Sequence, residues 1–219
     1  LGGANALAVE NAAGEWELLQ FATAALVAPG EWALTRLLRG QAGSEGAMRD
    51  PVAAGARIVL LDGTPAQLDL KQSEATLPFH YAWGPPNKPL SDPSWQTATR
   101  QFAAIGLRPL SPVHLCARWQ GGDLALAWIR RTRIGGDSWD QTEVPLAEDA
   151  ERYDVEILNA AGAVARTVAS VPAAALAYTA AQIAADFPGG LPSPFRFTVY
   201  QLSTAFGRGV GATASIIFT

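Results

Sequence analysis

Apolar and polar residues alternate along much of this chain with the period of two that a half-buried strand requires. The pattern is sharpest after residue 112, where Val113, Leu115 and Ala117 alternate with His114, Cys116 and Arg118. Leu124, Leu126 and Trp128 alternate with Ala125, Ala127 and Ile129, and Tyr153, Val155 and Ile157 with Asp154, Glu156 and Leu158. Shorter strands are predicted over 164–169 and 175–179, a longer one from Phe195 through Phe197 and Val199 towards Leu202, and a last one over 210–218. About seven short strands in roughly 110 residues is the pattern of a β-sandwich. The exception is Thr179–Asp186, whose alanines favour a helical turn capped by Thr179.

The first half is less regular. Trp16–Ala22 is an apolar run with strand character, and a second run, Trp32–Thr35, follows Ala28-Pro29-Gly30. Two aromatic-led runs around a Pro-Gly turn predict an antiparallel pair, with Trp16, Trp32 and Leu34 seated in a core. Leu34, Leu37 and Leu38 also have helical spacing, but a strand that breaks near Arg36 is the better reading. Gly40 and Gly43 then allow a tight loop with positive φ. Ser44 is expected to cap one helical turn through Met48, closed by Asp50-Pro51. Residues 56–61 predict a buried strand ended by a hairpin-type turn at Asp62-Gly63, and further strands are expected over 67–70, 76–83 and 96–103. Between the last two, Gly84-Pro85-Pro86-Asn87-Lys88-Pro89 has to be an exposed loop. The prolines of Arg108-Pro109-Leu110-Ser111-Pro112 mark a domain boundary. The expected fold class is all-β with two β domains: a linker or peripheral strand over 1–14, a β-rich domain over 15–110 and a β-sandwich over 111–219.

Composition narrows the chemistry. With 219 residues, 49% of them hydrophobic, the chain can bury a core that needs no metal or disulfide. Its one cysteine, Cys116, permits no intrachain disulfide and no cysteine-based metal site, and two histidines are too few for a zinc centre. Net charge is −4, and each half, 1–110 and 111–219, carries eight basic against ten acidic residues. No basic face is implied, which argues against sequence-specific nucleic-acid binding. No apolar run is long enough to span a membrane, and no signal-peptide pattern opens the chain. The first residues, Leu1-Gly2-Gly3-Ala4-Asn5 with no initiator Met, suggest a piece of a longer polypeptide.

Catalytic arrangements are not visible. Glu148, Asp149, Glu151, Asp154 and Glu156 cluster in sequence, but spacing alone cannot make them a hydrolase pair, and a solvated loop with an outward strand face is expected. Asp137, Asp140 and Glu143 lack EF-hand spacing and are expected to form an ordinary loop. No Gly-x-Ser-x-Gly elbow occurs. His80, His114 and Cys116 are expected to be packed or rim residues, and no cofactor or metal is expected. Arg130, Arg131 and Arg133 form the densest positive charge. Their planar forks suit contact with an anionic surface, but pairing with the acidic segment 148–156 is favoured. Trp83, Trp95 and Trp139 flank loops and are candidates for a binding surface, with a subunit interface favoured over sugar stacking.

Particular segments resemble known families. Trp128 on a second strand, Tyr153-Asp154-Val155-Glu156-Ile157 on a third, and Phe195–Ser203 followed by Gly207-Arg208-Gly209 resemble a fibronectin type III domain. Trp16-Glu17-Leu18-Leu19-Gln20-Phe21, then Leu37-Leu38-Arg39-Gly40-Gln41 and Gly43-Ser44-Glu45, lead the stretch. Trp128–Arg133, Ser138-Trp139, Arg152-Tyr153 and Gln201-Leu202-Ser203 follow. In that order they resemble the C-terminal region of the tail-tip host specificity proteins of phages and gene transfer agents (megatron-like tail hub proteins), over roughly 15–215. The resemblance implies a non-enzymatic structural part of a phage-like tail tip, at the periphery of a baseplate hub. It further implies a homotrimer around the tail axis, contacts with other hub subunits and the host envelope, and a part in tube closure and DNA delivery. A receptor- or glycan-binding adhesin module of the same tip is the alternative.

Overall fold

The computed structural model describes residues 4–136, 140 and 142–218 and is all-β, with several antiparallel sheets. Strands β1 (Ala6–Glu10), β2 (Trp16–Ala28), β3 (Glu31–Gln41) and β4 (Ile58–Leu60) form one sheet in the order β3-β2-β1-β4. The N-terminal segment is therefore no linker or peripheral strand. β1 lies between β2 and β4 and buries Leu7, Ala8 and Val9. Its alanines hid it, because Ala weakens the strand signal that its two neighbours supply in three dimensions. Leu7, Val9 and Leu19 form the core of this unit, with Phe21, Leu34 and Ala56 packed against it.

β2 and β3 form the expected hairpin, but far longer than predicted. β3 runs on through Arg36, which takes φ 56, to Gln41 instead of breaking. At its foot Gly40 (φ 61) and Gly43 (φ 79) turn the chain as anticipated. A Cβ on Gly40 would stand 3.0 Å from Glu45 Cα, and with its positive φ this position favours glycine. The turn that follows, Ser44–Ala47, is 3-10, and Ser44 is its first residue and not its cap. Its hydroxyl instead accepts from Leu18 N (2.8 Å) and donates to Gln41 O (2.7 Å), stitching β2 to the end of β3.

Strand β4 exists but is exposed along its length, because it is the sheet edge and lies over no core. No strand forms over 67–70; Leu70 N donates to Leu68 O (3.0 Å), a tight turn that replaces ladder bonding. β5 (Pro78–Trp83) and β6 (Gln96–Gln101) pair as a separate hairpin across the proline-rich loop.

The remaining strands are β7 (Val113–Gln120), β8 (Asp123–Ile129), β9 (Tyr153–Leu158), β10 (Val164–Val171), β11 (Ala175–Tyr178), β12 (Phe195–Ser203), β13 (Gly207–Arg208) and β14 (Ala212–Ile216). One sheet has the order β11-β8-β7; the other runs β10-β9-β12, with β13 and β14 both pairing β12. Two antiparallel sheets that share one core agree with the β-sandwich expected. The alternation decides which face packs: Leu124, Leu126, Trp128, Tyr153, Val155, Ile157, Phe195, Phe197 and Val199 are all buried in one core. The Trp128 and Tyr153 rings meet edge to face at 5.1 Å. Helix α1 (Ala180–Asp186) decorates one end, its Thr179 hydroxyl accepting from Gln182 N at 3.3 Å, as the cap reading required.

A candidate interaction surface

The long hairpin explains itself poorly as part of a core. From Ala22 onwards nearly every residue of β2 is exposed, and so is most of β3. Leu26 is 59% exposed, Val27 64% and Trp32 60%, and Leu37 and Leu38 are exposed too. Trp32 faces Leu26 across the strands. Trp32 is therefore not a core residue, and Trp16 is also exposed. The local alternation is real, but no second layer stands opposite this half of the ribbon, so both of its faces meet solvent. In the distal part, 22–35, Glu31 is the only charged residue. An isolated two-stranded ribbon is marginal in water, and a contiguous apolar surface of this kind marks an interaction site.

The root of the arm is fixed by charge. Glu17 on β2 is 2% exposed, and Arg39 on β3 grips it bidentately, Nε to Oε1 at 2.8 Å and Nη2 to Oε2 at 2.5 Å. Gly40 N adds a third bond at 3.2 Å, and the same Nη2 donates to Arg49 O. This contact with the Glu17 carboxylate raises the Arg39 pKa further. Arg39 thus ties the loop to a carboxylate of its own unit. Arg36 makes no such bond and is set apart in β3 only by its positive φ of 56.

The other candidates are distributed as follows. Arg130 donates to the carbonyls of Pro145 (2.9 Å) and Val144 (2.6 Å), and Arg133 pairs with Glu148 (3.2 Å) while lying over the Phe206 ring at 5.3 Å. Arg131 reaches into the first unit and pairs with Glu45 at 2.8 Å. All three guanidiniums are therefore engaged inside the chain, and only Arg133 pairs with the predicted acidic segment. Within that segment Asp154 and Glu156 do sit on an outward strand face, where both bind Arg208, which stacks on Tyr200 at 4.3 Å. Glu148, however, is buried by its partner and not solvated.

Trp83 is 53% exposed and, with Leu68, Tyr81, Arg100 and Phe102, lines an open groove of about 510 Å³ beside β5 and β6. Trp95 is half-buried: it lies on Gly84, and its indole N–H donates to Lys88 O at 3.2 Å, so it holds the loop together. Trp139, like Asp137 of the acidic loop, lies outside the described residues. His80 is on the rim, bonded to Thr99 Oγ1 at 2.9 Å, His114 is exposed in a bulge of β7, and Cys116 is half-buried and free. Among the described residues no cluster of three or more His, Cys, Asp or Glu is placed to hold a metal ion, and no helix is long and apolar enough to cross a membrane.

Comparison with known proteins locates the arm. Residues 1–59 match the family model described as Rcc01698-like, C-terminal. That span holds β1, β2, β3 and the first two residues of β4, arm included, and none of the sandwich. No curated protein matches the chain. Among solved structures it is similar to the Clostridium perfringens spore cortex lytic enzyme SleM (12% identity, TM-score 0.32), over 51% of this chain and 29% of that one. It is also similar to domains d3-d4 of the rat CD45 extracellular region (11% identity, TM-score 0.32), over 89% and 94% of the two chains.

Sequence reasoning missed the exposed arm and the buried Glu17. A lone glutamate two residues before Leu19, on the same strand face, is a usable signal for the second, since a charge on a buried face demands a partner. The first left none, because exposure depends on what stands opposite.

Proposed function

We propose that this chain is a structural, non-enzymatic component of a phage-like tail tip, attached to neighbouring hub subunits through its β2–β3 arm. The observation that carries the reading is the arm itself: a rooted, almost uncharged ribbon with Leu26, Val27 and Trp32 open to solvent. The family-model match over the same residues supports it, since the model's name is of the gene-transfer-agent type. The ordered motif resemblance beyond residue 59 extends the proposal to the sandwich. In this reading the chain sits at the tip in three copies around the tail axis and contributes to tube closure, host contact and DNA delivery.

The test is made in particles. Replacing Leu26 and Trp32 together by lysine is expected to leave the purified chain folded but to exclude it from assembled particles. Particles with the usual amount of this chain and unimpaired delivery refute the proposal. Deleting 111–219 is expected to impair assembly or delivery, and normal particles would count equally against it.

A second reading, a receptor- or glycan-binding adhesin module of the tip, is favoured by the groove around Trp83 and Tyr81, since aromatic faces beside polar Arg100 and Gln101 suit a sugar. Binding of the purified chain to envelope or glycans, lost in Trp83→Ala, would support it. Absence of binding to any envelope fraction removes it.

A further inference from the structure

The two halves of the chain share no core. The buried residues of one cluster lie within 7–19 and those of the other within 117–199, and among the described residues no strand of either half pairs with a strand of the other. Between them runs 102–112, with one 3-10 turn at Ile105–Leu107 and left-handed Ala104 (φ 51). An open cleft of about 510 Å³ lies at the junction, lined by Trp16, Gly43, Ala47, Ile105, Arg108 and Val210 among others. Such a junction is free to swing unless particular bonds hold it.

One side chain makes those bonds. Glu45, in the 3-10 turn below the arm, has a side chain only 14% exposed. Its Oε1 accepts from the backbone N of Ser111 at 2.6 Å, and its Oε2 from Arg131 Nη2 at 2.8 Å. One carboxylate thereby grips both the connecting segment and the sandwich. Close glycine contacts around it set the distance: a Cβ on Gly43 would stand 2.9 Å from Gly106 Cα, and one on Gly46 3.6 Å from Val210. Val210 N also donates to Pro109 O at 3.3 Å.

We propose that Glu45 is the latch that fixes the sandwich against the arm-bearing sheet, with 102–112 as the hinge released when its two bonds break. Glu45 is a positioning residue, and Arg131 is its counterpart on the sandwich. Its two charge-assisted bonds decide the angle, because they are shorter and more directional than the Val210–Pro109 backbone bond and the apolar contacts of the cleft.

The experiment compares the full chain with Glu45→Ala and Arg131→Met, using thermolysin digestion and small-angle scattering. Far-UV circular dichroism and thermal melting check that each variant folds. The unmodified chain should resist cleavage near Ile105 and Leu107. In Arg131→Met cleavage there should rise by about tenfold, the factor that loss of one charge-assisted hydrogen bond supplies, and in Glu45→Ala, which loses two, by more. The radius of gyration should increase. Arg131→Met leaves the Ser111 bond intact and should show the smaller effect. Unchanged cleavage and scattering in a folded variant overturn the proposal. So does equally fast cleavage of the unmodified chain, or new cleavage confined to 131–150 with the hinge intact.

Discussion

The root of the arm offers the most direct energetic test. Arg39→Met removes the guanidinium from Glu17 and leaves a carboxylate that is 2% exposed with one remaining donor, Gly40 N. Breaking a buried ion pair from one side costs about 3–5 kcal/mol, because the surviving charge is stranded. Arg39 keeps 22% of its side chain exposed, so water can partly replace it, and the Gly40 bond persists. Both push the figure to the low end, about 3 kcal/mol. For a urea slope of about 2 kcal/mol/M that moves the midpoint of the first unit's transition down by about 1.5 M. Trp16 and Trp32 lie in that unit and report it by fluorescence. The double variant Glu17→Gln/Arg39→Met removes the stranded charge and should recover most of the loss, to within about 1 kcal/mol of the unmodified chain. An Arg39→Met cost below about 1 kcal/mol would refute the reasoning. A double variant as unstable as the single one would refute it too, since the penalty would then lie in packing and not in charge.

Three further outcomes are expected. Leu26→Lys and Trp32→Lys, on the open ribbon, should change stability by no more than about 0.5 kcal/mol, while binding of a hydrophobic dye falls; a large destabilisation would mean the arm is packed in solution. Arg166 and then the Tyr178 hydroxyl hold the Asp186 carboxyl below the usual carboxylate range. Its contribution is therefore present above about pH 4 and lost as pH falls through the lower folded value, so Asp186→Asn should flatten the acid limb of the melting temperature against pH. Burial, and then the bonds to Glu151 and Asp186, push the phenols of Tyr153 and Tyr178 above their ordinary value. Stability should then fall as pH rises past about 10, where the unfolded chain loses protons that the folded chain keeps, and Tyr178→Phe should weaken that fall.

The sequence by itself determined the sandwich. Strict alternation over Leu124–Trp128, Tyr153–Ile157 and Phe195–Val199 allows one buried face per strand, and those residues are the core. The Thr179 cap and the positive-φ glycines at 40 and 43 were legible for the same reason: each is a local backbone requirement met by one residue type. Tertiary structure decided the rest. Ala6–Glu10 is an interior strand only because β2 and β4 flank it, and Trp32, Ile58 and Leu60 are exposed only because no layer covers them. Arg130, Arg131 and Arg133 are adjacent in sequence yet bind a loop, the other half of the chain and Glu148 in turn. Alternation states which face of a strand is apolar. What that face meets, and whether it meets anything, depends on partners far along the chain, and pairing at such range leaves no periodic trace.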